Sequence, residues 1–106
     1  MSNYNHVTLV GSLTDNPDTI KIGKKIRTKF TIGCERYTGE IDYFIIATRG
    51  KLAEVCKEYL KPGIKVLVDG KIQINKTPEG SWITEILADN IKFLQIAKES
   101  ENKQND

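Results

Sequence analysis

The chain has 106 residues, which is enough for one domain with a single core, and its hydrophobic (39%) and charged (28%) fractions are those of an ordinary globular protein. Sixteen Lys and Arg against fourteen Asp and Glu leave a formal net charge of +2, too small to indicate a partner by itself. No signal peptide pattern is present, and no segment approaches the roughly 20 apolar residues of a membrane span, so we expect a cytoplasmic protein without membrane contact.

The cysteines and the histidine are isolated from one another in the sequence. Cys34 and Cys56 lack the spacing of a metal site or redox motif, and His6 has no cluster of partners. We therefore predict two reduced, buried thiols, no metal site and no cofactor.

The first third of the chain has the pattern of strands and tight turns. Asn5 to Leu13 alternates and is rich in β-branched residues, which predicts a first strand with a bend or bulge at Gly11. "TDNPD" is a turn, and "KIGKK" predicts a hairpin tip at Gly23. Ile26 to Cys34 predicts a second strand with an apolar face and a basic one.

Positive charge is concentrated around this second strand, because residues 21–36 contain six Lys and Arg and a single acid, Glu35. One interpretation is a solvated hairpin whose lysines protect a sheet edge from aggregation. The other is an anion-binding surface, and charge alone slightly favours the first.

After a turn at Gly39, Ile41 to Arg49 predicts a third strand with apolar groups on both faces. The period then changes to that of a short amphipathic helix, ended by Pro62 and Gly63. Its predicted apolar stripe comprises Leu52, Val55, Cys56, Tyr59 and Leu60.

The period returns to two in the last third of the chain. Residues 65–74 predict a fourth strand with a continuous core face through Ile72 and Ile74, and Trp82 to Leu94 predicts the fifth after a polar hairpin. We expect one domain over residues 1–95 and a disordered polar tail over residues 96–106.

Five strands with one helix between the third and fourth predict an all-β OB-fold, a five-stranded Greek-key barrel with the helix capping its open end. Periodicity alone leaves open an α+β sandwich with the helix flat on the sheet. OB-folds bind oligonucleotides or oligosaccharides on the second and third strands and adjoining loops, where this chain carries basic and aromatic residues.

Three blocks of the sequence resemble the bacterial single-stranded DNA-binding protein family: "NHVTLVGSLTDNP", "GKLAEVCKEYLKPGIKVLVDGKI" and "TEILADNIKFL". They occur in the family's order and spacing, from about Asn5 to Leu94. The resemblance implies an OB-fold that assembles, most often as a homotetramer with a dimer possible, and binds single-stranded DNA without sequence preference during replication, repair or recombination. It also implies a nucleoid-associated location.

The resemblance, together with the basic and aromatic residues of the predicted binding face, gives a set of candidate DNA contacts. Tyr43 falls where the family usually has a stacking Trp, Arg49 falls where a stacking Phe is usual, and Lys51 matches a phosphate-contacting Lys. The candidate set is Arg27, Lys29, Arg36, Tyr37, Tyr43, Arg49, Lys51, Lys76 and Trp82. Tyr37 and Tyr43 could instead be ordinary strand aromatics, and Ile86 and Ala88 share the face of Trp82 and could bury it.

Two other functional classes stay open. The chain also resembles, in length and fold, the primosome adaptor that binds DNA weakly and a protein partner specifically. A nuclease is disfavoured because the acidic residues show no pair at metal-binding spacing, so we predict no enzyme activity and no catalytic residue.

Family members usually end in an acidic tip that recruits replication and repair proteins, whereas this sequence stops at "NKQND", so that recruitment is in doubt.

Overall fold

Six strands and one helix make up residues 3–95, the part of the chain that the computed structural model describes. The strands are β1 (Val7–Leu13), β2 (Asp18–Ile22), β3 (Lys25–Glu35), β4 (Ile41–Arg49), β5 (Lys65–Lys76) and β6 (Trp82–Gln95). The helix α1 (Gly50–Tyr59) lies between β4 and β5. The predicted tail, residues 96–106, lies outside the described residues, and the division of the chain at residue 95 stays a prediction.

The sheet closes into a barrel because β1 pairs with two strands. Its Val7–Ser12 segment runs antiparallel to β5, and its end, Ser12 and Leu13, pairs with Gly33 and Ile32 of β3. The sheet order is β1-β5-β6-β4-β3-β2, with a short parallel pairing of β4 with β6. The predicted OB-fold is confirmed, and a helix lying flat on an open sheet is excluded by the β1–β3 closure.

One strand was not predicted. Asp18–Ile22, which we expected to be part of a turn and hairpin arm, forms β2 and pairs with the first half of β3. The last part of β3 pairs with β1 along the same edge, so β2 extends the sheet beyond the five-stranded barrel. The result is a two-stranded ribbon at the sheet edge, with Gly23 at its tip in the left-handed region (φ 61°).

The inner face of the barrel carries the core, as the alternation of β3 and β4 predicted. Ile32, Ile46, Val66 and Val68 are fully buried there. Cys56 and Leu60, at the C-terminal end of α1, join the same apolar cluster. At about 1.5–3 kcal/mol for each large apolar side chain removed from water, this cluster is the main source of stability.

Two buried threonines fasten α1 to the barrel. The Thr28 hydroxyl donates to the carbonyl oxygen of Ala53 in α1 (2.9 Å), and the Thr48 hydroxyl donates to the carbonyl oxygen of Thr28 (2.7 Å). Because the Thr28 proton is used in this way, the Thr19 hydroxyl of β2 donates to Thr28 Oγ1 (3.0 Å). The chain of hydroxyls joins β2, β3, β4 and α1, and within residues 3–95 every buried side-chain nitrogen or oxygen atom has a hydrogen-bond partner.

Three predictions about burial were wrong. Tyr59 is exposed, and Ala53, which was not predicted, is fully buried in its place on the inner side of α1. Ile72 and Ile74 are also exposed, because β5 and β6 continue toward a hairpin past the barrel. Asn5 bonds to the backbone N–H and carbonyl oxygen of Ile72 there, but both isoleucine side chains stay open to solvent. Cys34 is only partly buried, whereas Cys56 is buried as predicted; both thiols are free.

Glycine is required where strands approach most closely. A Cβ on Gly11 would lie 2.6 Å from the carbonyl oxygen of Gly33, where β1 passes from β5 to β3. A Cβ on Gly70 would overlap the backbone of Leu87 beside the irregularity in the β5–β6 register.

Among the described residues, no helix is long and apolar enough to cross a membrane.

Candidate nucleic-acid interface

The outer face of β3 and β4 places two arginines directly opposite each other. The register pairs Arg27 with Arg49, Lys29 with Ala47, Thr31 with Ile45, and Gly33 with Tyr43. Like charges in directly opposed strand positions repel and destabilise a sheet. Within residues 3–95, neither arginine has an acidic partner within ion-pair distance.

These two arginines separate two depressions in the surface. The first has a volume of about 380 Å³ and lies between the β3–β4 face and the β5–β6 hairpin, with Gln73, Asn75 and Lys76 on the hairpin side. The second, about 360 Å³, is bounded by Lys24, Lys25 and Gly50 on the other side of the arginines. The two depressions form a path across the sheet, which we call the outer groove, with uncompensated positive charge at its middle.

Lys29 faces the same groove but has a partner. Its ammonium group is bonded to the carboxylate of Glu85 in β6, which is only 4% exposed and accepts a second hydrogen bond from Asn75 Nδ2 (2.9 Å). A buried carboxylate of this kind requires a neutralising partner. Lys29 is therefore committed to Glu85, and its predicted contact with DNA stays a prediction.

Arg36 is also held by carboxylates. Its Nε and Nη2 donate to the two oxygens of Asp42 (2.9 and 2.8 Å), and Nη1 donates to Glu40 (3.0 Å). The hydrogen bond with Asp42 raises the pKa of Arg36 and lowers the pKa of Asp42. A backbone bond from Arg36 N–H to the Glu40 carbonyl oxygen (2.7 Å) closes the same turn. The clamp fixes the β3–β4 turn, which presents Tyr37 fully exposed at its tip.

The other candidates on the face of β3 and β4 lie at its two ends. Tyr43 is exposed on the outer face of β4, at the opposite end from Arg49, beside a smaller depression that includes Gly33 and Ile41. Lys51 is exposed in the first turn of α1, next to the second depression. The structure thus brings Arg27, Arg49 and Lys51 around one end of the outer face and places Tyr37 and Tyr43 at the other. The ammonium group of Lys76 instead lies over Trp82, so the predicted contact of Lys76 with DNA stays a prediction.

Trp82 lies on the opposite side of the β5–β6 hairpin from the outer groove. It pairs with Lys76 at the hairpin end, is 67% exposed, and has Lys76 Nζ 5.5 Å from its ring centroid. Ile86 and Ala88 do not bury it, because the hairpin projects beyond the barrel. Its predicted contact with DNA stays a prediction.

Two features of this site were not predicted from the sequence. Glu85 was not noticed, although an acid inside the apolar run "ITEILA" is a signal of a buried, paired charge. The other is the contribution of β2, whose side chains at Asp18, Ile20 and Ile22 share the outer face with β3. Within residues 3–95, no three His, Cys, Asp or Glu side chains come together as potential metal ligands.

An OB-fold whose outer face combines unpaired arginines with exposed tyrosines is an oligonucleotide-binding module. The model of the single-strand binding protein family matches residues 4–94. The chain belongs to this family, in agreement with the resemblance found in the sequence.

Several members of the family cover most of the chain. The single-stranded DNA-binding protein of Caldanaerobacter subterraneus subsp. tengcongensis is 36% identical over 107 residues, covering 86% of this chain and 68% of that protein. Single-stranded DNA-binding protein 1 of Clostridium acetobutylicum is 31% identical over 108 residues, covering 91% and 98%. Single-stranded DNA-binding protein 1 of Staphylococcus aureus strain MSSA476 is 33% identical over 112 residues, covering 94% and 71%.

Proposed function

We propose that this protein binds single-stranded DNA without sequence preference and protects it during replication, repair or recombination. The observation that carries the proposal is the direct opposition of Arg27 and Arg49 on an exposed sheet face without a carboxylate partner. Such a pair costs stability in the free protein, and a phosphate backbone removes that cost. The family and the names of the relatives support DNA as the source of the phosphates.

Base stacking supplies the second part of the binding energy. Tyr43 and Tyr37 present exposed rings on and beside the same face. Each base that stacks on an aromatic ring contributes about 1–3 kcal/mol, and every base has a face that can stack, so the binding tolerates any sequence. Because a duplex keeps its base faces inside the helix, this mode of binding selects single strands.

A competition experiment tests the proposal. Fluorescence anisotropy should show that labelled oligo-dT is displaced by unlabelled single strands of mixed sequence but not by a duplex of equal length. The affinity should fall as salt increases, because phosphate contacts release counterions. Comparable affinity for duplex and single strand would refute the proposal.

Self-association, as a homotetramer or a dimer, is part of the proposal. β1 pairs through Val7–Ser12 with β5, whereas its other edge, among the residues that the structure describes, pairs with β3 only at Ser12 and Leu13. The hairpin that β5 forms with β6 adds exposed Ile72 and Ile74, and an open edge next to exposed apolar side chains is a ready site for another chain.

Light scattering coupled to size exclusion measures the assembly. We expect a mass of two or four chains, and a smaller mass for the variant Ile72→Lys/Ile74→Lys. A wild-type mass of one chain at all accessible concentrations would refute self-association while leaving DNA binding to be judged by the competition experiment. A cytoplasmic, nucleoid-associated location follows from the proposed function.

A further inference from the structure

The edge strand β2 exposes two isoleucines on the same face as the paired arginines. Ile20 is 55% exposed and Ile22 is 71% exposed. The β2–β3 register places Ile20 opposite Arg27 and Ile22 opposite Lys25. Since Arg27 in turn lies opposite Arg49, Ile20, Arg27 and Arg49 form one row across three strands.

An exposed apolar pair is a liability at this position. β2 has one neighbour, β3, within residues 3–95, so its outer edge offers unpaired backbone groups next to two β-branched apolar side chains. Edge strands that avoid aggregation usually carry charge on such faces. In β2 the charged and polar residues Lys21 and Thr19 occupy the other face, so the isoleucines are directed toward the groove side.

The surroundings of the two isoleucines fit a ligand that is both anionic and apolar. Lys25, Arg27 and Arg49 lie on the same face, while the single acid of β2, Asp18, lies at its far end opposite Lys29. A partner with a purely apolar surface would bury these cations without compensation, at high cost. Single-stranded DNA instead offers phosphates to the arginines and apolar base faces to the isoleucines.

We propose that Ile20 and Ile22 form an aliphatic ledge that packs against nucleobases of single-stranded DNA whose phosphates contact Arg27 and Arg49. This inference rests on the proposed function and extends the binding path from the barrel onto the β2–β3 ribbon. The ledge contributes a salt-independent part of the affinity, because the contact is apolar and releases no counterions.

The test compares two double variants on two ligands. Ile20→Thr/Ile22→Thr keeps the β-branched shape and removes apolar surface, whereas the control Ile20→Val/Ile22→Val keeps the surface apolar. The ligands are oligo-dT and an oligonucleotide of the same length with abasic sites, which has the same charges without bases. Anisotropy titrations give the affinity and its salt dependence, and circular dichroism verifies that each variant is folded.

For oligo-dT we expect the threonine variant to bind roughly 5- to 30-fold more weakly than the wild type, with an unchanged salt slope, and the valine variant to bind nearly as the wild type does. On the abasic ligand, all three proteins should bind alike. Equal binding of oligo-dT by the threonine variant and the wild type would overturn the ledge. An equal loss of affinity on both ligands would also overturn the ledge. A change of assembly mass without a change in affinity would overturn it as well, because the isoleucines would then contact a second copy of the chain. Failure of the wild type to prefer single strands would refute the proposed function itself.

Discussion

Replacing the opposed arginines should weaken DNA binding and stabilise the free protein at the same time. In the variant Arg27→Gln/Arg49→Gln, both side chains keep most of their length and lose their charge. Each phosphate contact on a single strand contributes about 0.7 to the slope of log affinity against log salt, so losing two contacts lowers the slope by about 1.4. Over a fourfold rise in salt, the affinity of the wild type should therefore fall about sevenfold more than that of the variant.

Stability should change in the opposite direction. Like charges at directly opposed strand positions cost about 0.2–1 kcal/mol, and the register places Arg27 and Arg49 in such a pair. Urea unfolding without DNA should show the variant to be more stable by an amount in this range, most clearly at low salt.

The matched control removes a lysine whose charge is already compensated. In Lys29→Met/Glu85→Gln the net charge is unchanged and no buried carboxylate is left without a partner. Anisotropy titrations of oligo-dT across several salt concentrations should give this control the slope of the wild type. An equal decrease of the salt slope in the control and in the arginine variant would refute the distinction between the unpaired Arg27 and Arg49 and the ion-paired Lys29.

Three further predictions concern single residues. Tyr43→Ala should weaken oligo-dT binding by about 1–3 kcal/mol with an unchanged melting temperature, and an unchanged affinity would make Tyr43 an ordinary strand aromatic. Gly70→Ala should destabilise the fold by about 1–3 kcal/mol in urea unfolding, because its Cβ would overlap the backbone of Leu87; a stability equal to the wild type would contradict the close approach. Burial raises the pKa of Cys56 from 9.0 to about 11, so the folded state holds a proton that the unfolded chain loses, and stability should fall between these pH values. Cys56→Ala should lose less stability than the wild type over that interval, and equal losses would contradict the shift.

Much of the barrel could be predicted from alternation, because each strand buries one face. The face of Ile26, Thr28, Phe30 and Ile32 was predicted correctly along β3. The same rule failed at Ile72 and Ile74, where the alternation of β5 continues but the barrel does not. A pattern shows which residues share a face, whereas the length of the neighbouring strands decides how much of that face is covered.

The helix and β2 show two other limits of the sequence pattern. The helical stripe assigned burial to Tyr59 by spacing, but the close packing of α1 on β3 admits the small side chain of Ala53 and leaves Tyr59 outside. β2 was missed because "DTIKI" is short and partly polar, so it reads as a turn followed by a hairpin arm. It pairs with β3 across a two-residue turn, from Ile22 opposite Lys25 to Asp18 opposite Lys29, and the Thr19 hydroxyl bonds to Thr28 within this ladder.

In the candidate site, the positions of the cations could be predicted but their partners could not. Arg36 finds Asp42 across a tight turn, and Lys29 finds Glu85, which is 56 residues away in the sequence. A cation in a basic segment can be free or committed, and only the tertiary structure distinguishes the two. The concentration of charge in residues 21–36 therefore overstated the number of free charges on the face.

The same alternation explains why binding and folding are separable in this domain. Arg27 lies between Ile26 and Thr28, and both of these neighbours are buried on the opposite face of β3. The inner face supplies the apolar burial that stabilises the barrel, whereas the outer face carries the opposed arginines and the exposed isoleucines beside the Lys29–Glu85 pair. Substitutions of Arg27, Arg49, Ile20 or Ile22 should therefore change affinity with little loss of stability, and those on the inner face should do the reverse. Lys29 is the exception on the outer face, because it neutralises the buried Glu85. The repulsion between Arg27 and Arg49 is tolerated because the core opposes it, and its relief on binding a polyanion is a source of affinity that requires no particular base sequence.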